Sequence, residues 1–226
     1  LPSLQLSPLL LVDAAAFILG EVMGTILTLS EEQRDCYQEI TNVAMGQAAD
    51  RLARLLHVYV ALPIPNVNII EINEFKMTLK SLEGAQSVSA VCQGFIGAGV
   101  AGEALLIFND ASFCDIARLL NYQGELNQHQ ELEMLMDVAN VLNGACIQGI
   151  GSQLDINFSQ SHPVILGQHC SIGELIKEQE TRWQRTMAIE INYNLDDHNI
   201  NCDLLLLFTE KSVLHMNRLI SFLLED

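Results

Sequence analysis

Two stretches of this sequence place acidic and amide side chains on one narrow face of a helix. In the first, Glu39, Asn42 and Gly46 fall within about 40° of Asp35 when a helix is counted at 100° per residue. Carboxylates and carboxamides can hydrogen-bond polar partners, and no Ser/His/Asp arrangement, nucleophile elbow, P-loop or HExxH motif stands out beside them. Gly46 costs a helix about 0.8–1 kcal/mol relative to alanine, and close approach of another backbone or of a partner is one reason to keep it.

The same spacing of two acids, an asparagine and a glycine recurs 98 positions later in the chain. Its members are Glu133, Asp137, Asn140 and Gly144. Pro65 stands 23 positions after Asn42, and Pro163 stands 23 positions after Asn140. We call each of these two sets of four residues, which shares one face of a helix, a stripe. One stripe alone is typical of a solvated helix surface. Its duplication, together with the glycine and the distant proline, favours a function instead.

The ends of the two copies match as well. Leu105–Leu120 aligns with Leu205–Ile220 at an offset of 100, so a two-residue insertion must lie between the two sets of landmarks. We therefore predict an internal duplication with halves 30–126 and 127–226. Each half begins with a capping-box pattern, formed by Ser30 with Gln33 and by Asn127 with Gln130.

Composition excludes several classes of function. With 226 residues, 50% of them hydrophobic and 17% charged, the chain can bury a sizeable core as one compact body. A net charge of −17 argues against sequence-independent nucleic-acid binding and against an anionic membrane surface. Six scattered cysteines without a CxxC pair favour free, buried thiols in a reducing cytoplasm, so we expect a cytoplasmic protein.

Residues 1–29 are strongly apolar. Leu9–Leu29 approaches membrane-spanning length, but it contains Asp13 and Glu21, and a central aspartate costs about 2.5–3.5 kcal/mol on insertion scales. No basic region precedes it, so a signal peptide is not expected. We expect a helix packed on the domain or a connector from an upstream domain, and no membrane partner. Because the sequence starts with Leu1, we also expect that it was cut from a longer chain or processed.

Alternating and apolar runs predict two β-hairpins, two short strand-like segments and a closing amphipathic helix. These are Ser87–Gly94 with Gly102–Phe108, Met187–Asn194 with Asn201–Phe208, Val58–Ala61 and Val67–Ile72, and Lys211–Leu224. Gly97, Gly99 and Gly102 match the dinucleotide fingerprint, but a strand follows them instead of a helix. We therefore predict a hairpin turn there and no nucleotide site.

Three metal-ligating side chains lie close together in the sequence of the second half. They are His162, His169 and Cys170. A structural zinc site has four ligands in paired spacing, which is missing here, so we predict no metal site.

The motif Asp35-x3-Glu39-x2-Asn42-x22-Pro65 resembles the signature of the CheC/CheX/FliY phosphatases of bacterial chemotaxis, and Asn140-x22-Pro163 resembles its second copy. The resemblance covers about residues 30–226. It implies an α+β fold of two pseudo-symmetric halves that share an antiparallel sheet and expose the two motif helices side by side. It also implies hydrolysis of the aspartyl phosphate on CheY-like response regulators.

The resemblance assigns roles to the stripe. Asn42 and Asn140 would orient the attacking water, and Glu39 would pair with a lysine at the receiver's active site. Asp35 and Gly46 would support docking. In the second copy Glu133 and Gly144 hold the docking positions, and Asp137 stands where the family has glutamate. These departures put the activity of the second site in doubt.

The resemblance also bears on cofactors and partners. The chain itself would bind no cofactor, because the receiver domain brings its own Mg²⁺. The resemblance leaves open whether a CheD-like deamidase binds and whether the domain dimerises. Two alternatives stay open: a non-catalytic module that binds receivers or the flagellar switch, as FliM does with a similar fold, and a regulatory output domain of a response regulator.

Overall fold

The computed structural model describes residues 27–71, 74, 77, 87–122, 126–178, 185–195 and 200–224. The predicted apolar helix or connector at residues 1–29 lies outside them except for Leu27, Thr28 and Leu29, which have no regular secondary structure. The turn of the second predicted hairpin, at 196–199, also lies outside them. Among the helices that are described, none is both long enough and apolar enough to cross a membrane.

The helices and strands of the described chain follow a similar order in its two halves. The elements are α1 Glu31–Leu56, β1 Asn66–Glu71, β2 Val88–Gly97, β3 Val100–Asn109, a 3₁₀ turn Asp110–Ser112, α2 Phe113–Leu119, α3 Gln128–Gln153, β4 Ser159–Gln160, β5 Val164–Cys170, α4 Ile172–Glu178, β6 Arg185–Leu195, β7 Ile200–Thr209 and α5 Glu210–Leu224. The predicted hairpins, the β1 strand and the closing helix are confirmed, but Val58–Ala61 forms no strand and has only a single bridge, from Ala61 to Asn194. Both capping boxes form, and each of the two long helices runs for 26 residues.

The described strands form one antiparallel sheet of seven strands, in the order β1-β6-β7-β3-β2-β4, with β5 also paired to β2. At its centre β3 pairs with β7, and Leu105 lies opposite Leu205. The outer strands are exchanged between the halves, because β1 pairs with β6 and β5 pairs with β2. The α+β fold is therefore confirmed, and its sheet follows the symmetry of the duplicated sequence.

The strand pairing locates the predicted two-residue insertion. Val88 pairs with Asn109 in the first hairpin, and Thr186 pairs with Thr209 in the second. The first strands of the hairpins are thus offset by 98 positions and the second strands by 100. The extra residues lie in the connection between β6 and β7, which has four residues where the first hairpin has two.

Two duplicated serines join the halves across the centre of the sheet. The Ser212 hydroxyl accepts a hydrogen bond from the Ala101 N–H at 2.8 Å. The Ser112 hydroxyl accepts one from the Asn201 N–H at 3.2 Å. Both serines are buried, and each accepts from a backbone N–H of the opposite half. This explains why serine stands at both positions of the sequence repeat.

The main core lies between one face of the sheet and the helices α1, α2, α3 and α5. The two long helices pack closely, since a Cβ placed on Gly149 would lie 2.7 Å from the Cα of Ala44. The other face of the sheet has its own buried cluster, to which α4 contributes Ile172 and Leu175. The stripes lie on the outer surfaces of α1 and α3, which the sheet and the helix pair hold in place.

The glycines of the rejected dinucleotide fingerprint have local structural reasons. Gly99 has a φ of +80° in the tight turn between β2 and β3. A Cβ on Gly102 would lie 2.6 Å from the carbonyl oxygen of Leu207, and one on Gly97 would collide with the carbonyl oxygen of Asn157. The strand β3 follows directly, so the predicted hairpin turn is confirmed.

All six cysteines are free. Three are buried, Cys36 and Cys170 are half-buried, and Cys114 is exposed, so the expectation of buried thiols is wrong for Cys114.

Candidate functional site

The first stripe lies on the outer face of α1. The helix buries its opposite side with Tyr37, Ile40, Thr41, Ala44, Met45, Ala48, Ala49, Leu52 and Leu56. Asp35 and Glu39 are exposed, while Asn42 and Gly46 are half-buried. Glu39 and Asn42 are three residues apart, a rise of about 4.5 Å along the axis, so their side chains reach the same surface.

The polar side chains of this stripe have no partner within the described part of the chain: no hydrogen bond or ion pair there involves the side chain of Asp35, Glu39 or Asn42. Beyond the helix's own backbone, a Cβ placed on Gly46 would have no atom within 4 Å. The packing of the described residues therefore gives no reason for the glycine, although it costs the helix about 0.8–1 kcal/mol. Within the same part of the chain, the polar side chains of this stripe are left to hydrogen-bond a molecule from outside.

The second stripe has the same placement on α3. Glu133, Asp137 and Asn140 are exposed, and Gly144 is half-buried. Among the described residues none of the three polar side chains has a hydrogen-bond or ion-pair partner. Here the glycine does have a neighbour, because a Cβ on Gly144 would lie 3.8 Å from Oε1 of Gln160.

The segments that carry the two prolines are held in different ways. In the first half, the Gln38 side chain donates from Nε2 to the carbonyl oxygen of Pro65 at 3.0 Å, which ties the proline segment to α1 itself. In the second half, Gln93 of β2 donates from Nε2 to the carbonyl oxygen of Ser161 at 3.0 Å. That segment is therefore fixed to the sheet.

A charged cluster near the start of α3 was not predicted from the sequence. The ring of His169 lies between Asp110 and Glu131, with Nδ1 at 3.0 Å from one carboxylate and Nε2 at 2.9 Å from the other. Partial burial lowers the pKa of His169, but the hydrogen bonds and the charges of the two carboxylates outweigh burial, so the pKa is raised. Its backbone has a φ of +52° where the pairing of β5 with β2 is irregular. The cluster joins α3 to the sheet.

Neither stripe adjoins an activated nucleophile. Cys36 is the thiol next to the first stripe, and burial raises its pKa. Burial also raises the pKa of Cys146 to about 12. Within the described ranges, no group of three or more His, Cys, Asp or Glu side chains is arranged to hold a metal ion. His169, one of the three candidate ligands, instead binds two carboxylates. What the stripes offer chemically is the orientation of a polar group by amides and carboxylates.

Sequence reasoning placed all eight stripe residues on two helices but missed the side chains around them. Gln38 lies about 60° from Asp35 around the helix, just outside the 40° range of the stripe. Its contact with Pro65 requires the path of the intervening chain. No local signal pairs His169 with Asp110 and Glu131, which lie 59 and 38 positions away.

No protein-family model matches the sequence, and no curated protein sequence is detectably similar to it. Solved structures do resemble the fold. FliY from Thermotoga maritima is similar with a TM-score of 0.62 at 17% identity, over 86% of this chain and 98% of that one. A CheC-like superfamily protein from Shewanella sp. PV-4 is similar with a TM-score of 0.53 at 10% identity, over 75% and 97%.

A third similar structure is the complex of CheX with CheY, BeF₃ and Mg²⁺ from Borrelia burgdorferi. It has a TM-score of 0.50 at 15% identity, over 77% of this chain and 98% of the matched one. At these identities the likeness concerns the fold. The resemblance drawn from the motif is thus confirmed in the fold: the chain is a domain of the CheC-like fold, which CheC-like proteins, CheX and FliY share.

Proposed function

We propose that this protein accelerates hydrolysis of the aspartyl phosphate of a CheY-like response regulator. The observation that carries the proposal is the first stripe. Glu39 and Asn42 lie together on one helix, and among the described residues their side chains have no hydrogen-bond or ion-pair partner. A Cβ on the nearby Gly46 would meet no described atom within 4 Å outside the helix's own backbone. The similar CheX structure in complex with CheY supports a receiver as the partner.

The chemistry that such a substrate needs is modest. An aspartyl phosphate is an activated acyl phosphate, and water attacks its phosphorus while the bond to the aspartyl oxygen breaks. The aspartate leaves as a carboxylate, and inorganic phosphate forms with the oxygen of the water. Mg²⁺ on the receiver would supply charge neutralisation during this step. The phosphatase needs to hold water in line, and positioning of this kind accounts for a large part of many rate enhancements.

The stripe divides these tasks between its residues. The Asn42 carboxamide can accept and donate hydrogen bonds at once, so it orients water without changing its own protonation. Glu39 carries a charge one turn away and would pair with a lysine of the receiver, which sets the distance between Asn42 and the phosphoryl group. Gly46 has no side chain, so the receiver backbone can approach the next turn of the helix closely. Asp35 adds a charge at the other end of the stripe. Asn140 and Asp137 occupy the matching positions on α3.

The test is a loss-of-phosphate assay on a panel of CheY-like receiver domains phosphorylated with acetyl phosphate. The protein should accelerate release from at least one of them, in a reaction that needs Mg²⁺ and leaves no phosphoryl group on this chain. A phosphorylated residue trapped on the chain during turnover would contradict the proposal. So would an unchanged rate for every receiver.

A docking module without catalysis is the second candidate. The departures at Glu133 and Asp137 favour it for the second site, because that helix keeps an exposed polar face while its acids differ from the motif. The two candidates separate cleanly in the assay, since a docking module would bind an activated receiver and leave its phosphate in place.

A further inference from the structure

Three apolar side chains on the connection between α1 and β1 face solvent. Tyr59 is 86% exposed, Leu62 39% and Ile64 77%. We call these three residues the apolar rim. Single exposed apolar residues are ordinary on a protein surface, but three on one short connection form an apolar stretch that a partner can cover.

The apolar rim reaches the first site at its Ile64 end. Ile64 directly precedes Pro65, whose carbonyl oxygen accepts the 3.0 Å hydrogen bond from Gln38 of α1. The middle of the segment is held to the sheet, since the Ala61 N–H donates to the Asn194 carbonyl oxygen at 3.2 Å. On the helix itself, Val43 follows Asn42 directly and is 37% exposed. Apolar surface therefore borders the proposed catalytic amide.

The second half provides a comparison within the same molecule. The bridge between Ala61 and Asn194 corresponds to the pairing of Ser159 with Ile96, so equivalent positions of the two segments are 98 apart. At these positions the apolar rim is replaced by three polar residues, Asn157, Gln160 and His162. The second half exposes apolar residues after its proline instead, with Val164 at 58% and Ile165 at 38% on β5.

We propose that the apolar rim is the docking surface for the receiver domain and directs it to the first site. This inference rests on the proposed function. The surface next to the rim is acidic through Asp35 and Glu39, in a chain of net charge −17. Its occupant must therefore present a positive group beside an apolar patch, as a receiver does with a lysine near its phosphorylated aspartate. The equivalent polar segment offers no such match, so the receiver meets the second site less often.

The experiment exchanges the rim for its counterpart, in the variant Tyr59→Asn/Leu62→Gln/Ile64→His. The probe is the receiver that the wild-type protein dephosphorylates fastest, activated with beryllium fluoride and Mg²⁺ and titrated calorimetrically. We expect the Kd to rise about tenfold or more, since burial of a large apolar side chain is worth roughly one to two powers of ten in affinity. The KM for the phosphorylated receiver should rise in parallel, while kcat at saturation stays within about twofold.

Two controls accompany it. Leu214→Gln changes an exposed leucine on α5 (48% exposed) and should leave Kd and KM unaltered. Ile64→His alone keeps the test intact where the triple variant fails to fold, and should raise Kd about threefold or more. Thermal unfolding followed by circular dichroism identifies folded variants.

An unchanged Kd in a folded rim variant would overturn the inference. So would a rim variant that alters self-association in sedimentation while receiver binding stays constant, because the occupant would then be a second copy of the chain. Weaker receiver binding by the rim variant, combined with full activity of Asn42→Ala, would support the rim and refute the proposed catalysis. Absence of binding by every receiver to the wild-type protein would contradict both.

Discussion

The two stripes share a backbone plan but differ in the segments beside them. In the first half, Gln38 ties the Pro65 segment to the helix that carries the stripe, and the space above Gly46 is open. In the second half, the segment is tied to β2, and the side chain of Gln160 reaches the surface of Gly144. Duplication produced two equivalent helices, and the loops around them diverged afterwards.

This difference teaches which parts of the repeat are under common constraint. The serines and the central strand pairing are matched because each half needs the other to complete the sheet. The flanking segments face solvent and carry no such mutual constraint. One site can therefore keep the geometry for its partner while the other drifts or acquires a different role.

The second half also has a feature without a counterpart. In place of a regular outer strand such as β1, β5 has an irregular register and presents His169 to Asp110 and Glu131. Glu131 is two residues before Glu133 on α3. A titratable group therefore holds the first turn of the second motif helix. Within the described part of the chain, the side-chain hydrogen bonds in the first turn of α1 are those of its capping box.

The largest expected difference between the sites is in catalysis. In the proposed mechanism Asn42 positions the attacking water, so Asn42→Ala should lower receiver dephosphorylation by about 10²-fold. Asn140→Ala should change the rate by less than about twofold. The measurement is single-turnover phosphate release at saturating protein. Similar losses from the two substitutions would show that both sites are equally active and would contradict a functional difference between the halves.

Much of the fold followed from local patterns in the sequence. The capping boxes at Ser30 and Asn127 predicted where both long helices begin, because the first backbone donors need nearby acceptors. Strand alternation predicted the hairpins, and the change of offset predicted an insertion that the structure places between β6 and β7. Exchange of β1 and β5 between the halves was implied by the family resemblance only as a shared sheet, since the partner of an edge strand has no local signal.

The surroundings of the site could not be predicted in the same way. The contact of Gln38 with Pro65 spans 27 positions, and that of His169 with Asp110 spans 59. Both depend on how far a loop returns toward its helix, which hydrophobic periodicity does not encode. The apolar rim was missed for another reason, because short apolar runs beside prolines are equally consistent with buried strands.

A second prediction sharpens the comparison at the acid before each asparagine. Asp137 is one methylene shorter than Glu39, so its carboxylate falls about 1.5 Å short. In an Asn42→Ala background, Asp137→Glu should therefore raise the residual activity by about threefold to tenfold. Asp137→Asn has a similar length without the charge and serves as its control. If the longer acid brings no gain, the length of this side chain does not limit the second site.

A third prediction concerns the stripe glycines. Gly46→Ala should stabilise the protein by about 0.8–1 kcal/mol, because a Cβ there meets open space and alanine is the better helix former. The same variant should raise the KM for the phosphorylated receiver, whereas Gly144→Ala should leave it unchanged. Urea denaturation and steady-state kinetics measure the two effects.

Gly149→Ala is the contrasting control for the glycine variants. It should destabilise the protein, since its Cβ would lie 2.7 Å from the Cα of Ala44. A Gly46→Ala variant that gains stability and keeps the wild-type KM would remove the docking role of this glycine.

The smallest expected effect is a pH dependence confined to the second half. Because the pKa of His169 is raised in the folded state, its stabilisation is complete below the unfolded value of about 6.5 and is lost as pH rises through the folded value. His169→Asn, which tolerates the positive φ, should destabilise the protein at about pH 6 by less than about 1 kcal/mol, since the ring is 44% exposed. The difference from wild type should shrink at higher pH. His129→Asn, exposed on α3, is the control. Hydrogen exchange at matched pH should be faster in the first turn of α3 of the variant and unchanged in the first turn of α1. Equal changes in both helices would mean that the cluster stabilises the whole domain and does not distinguish the halves.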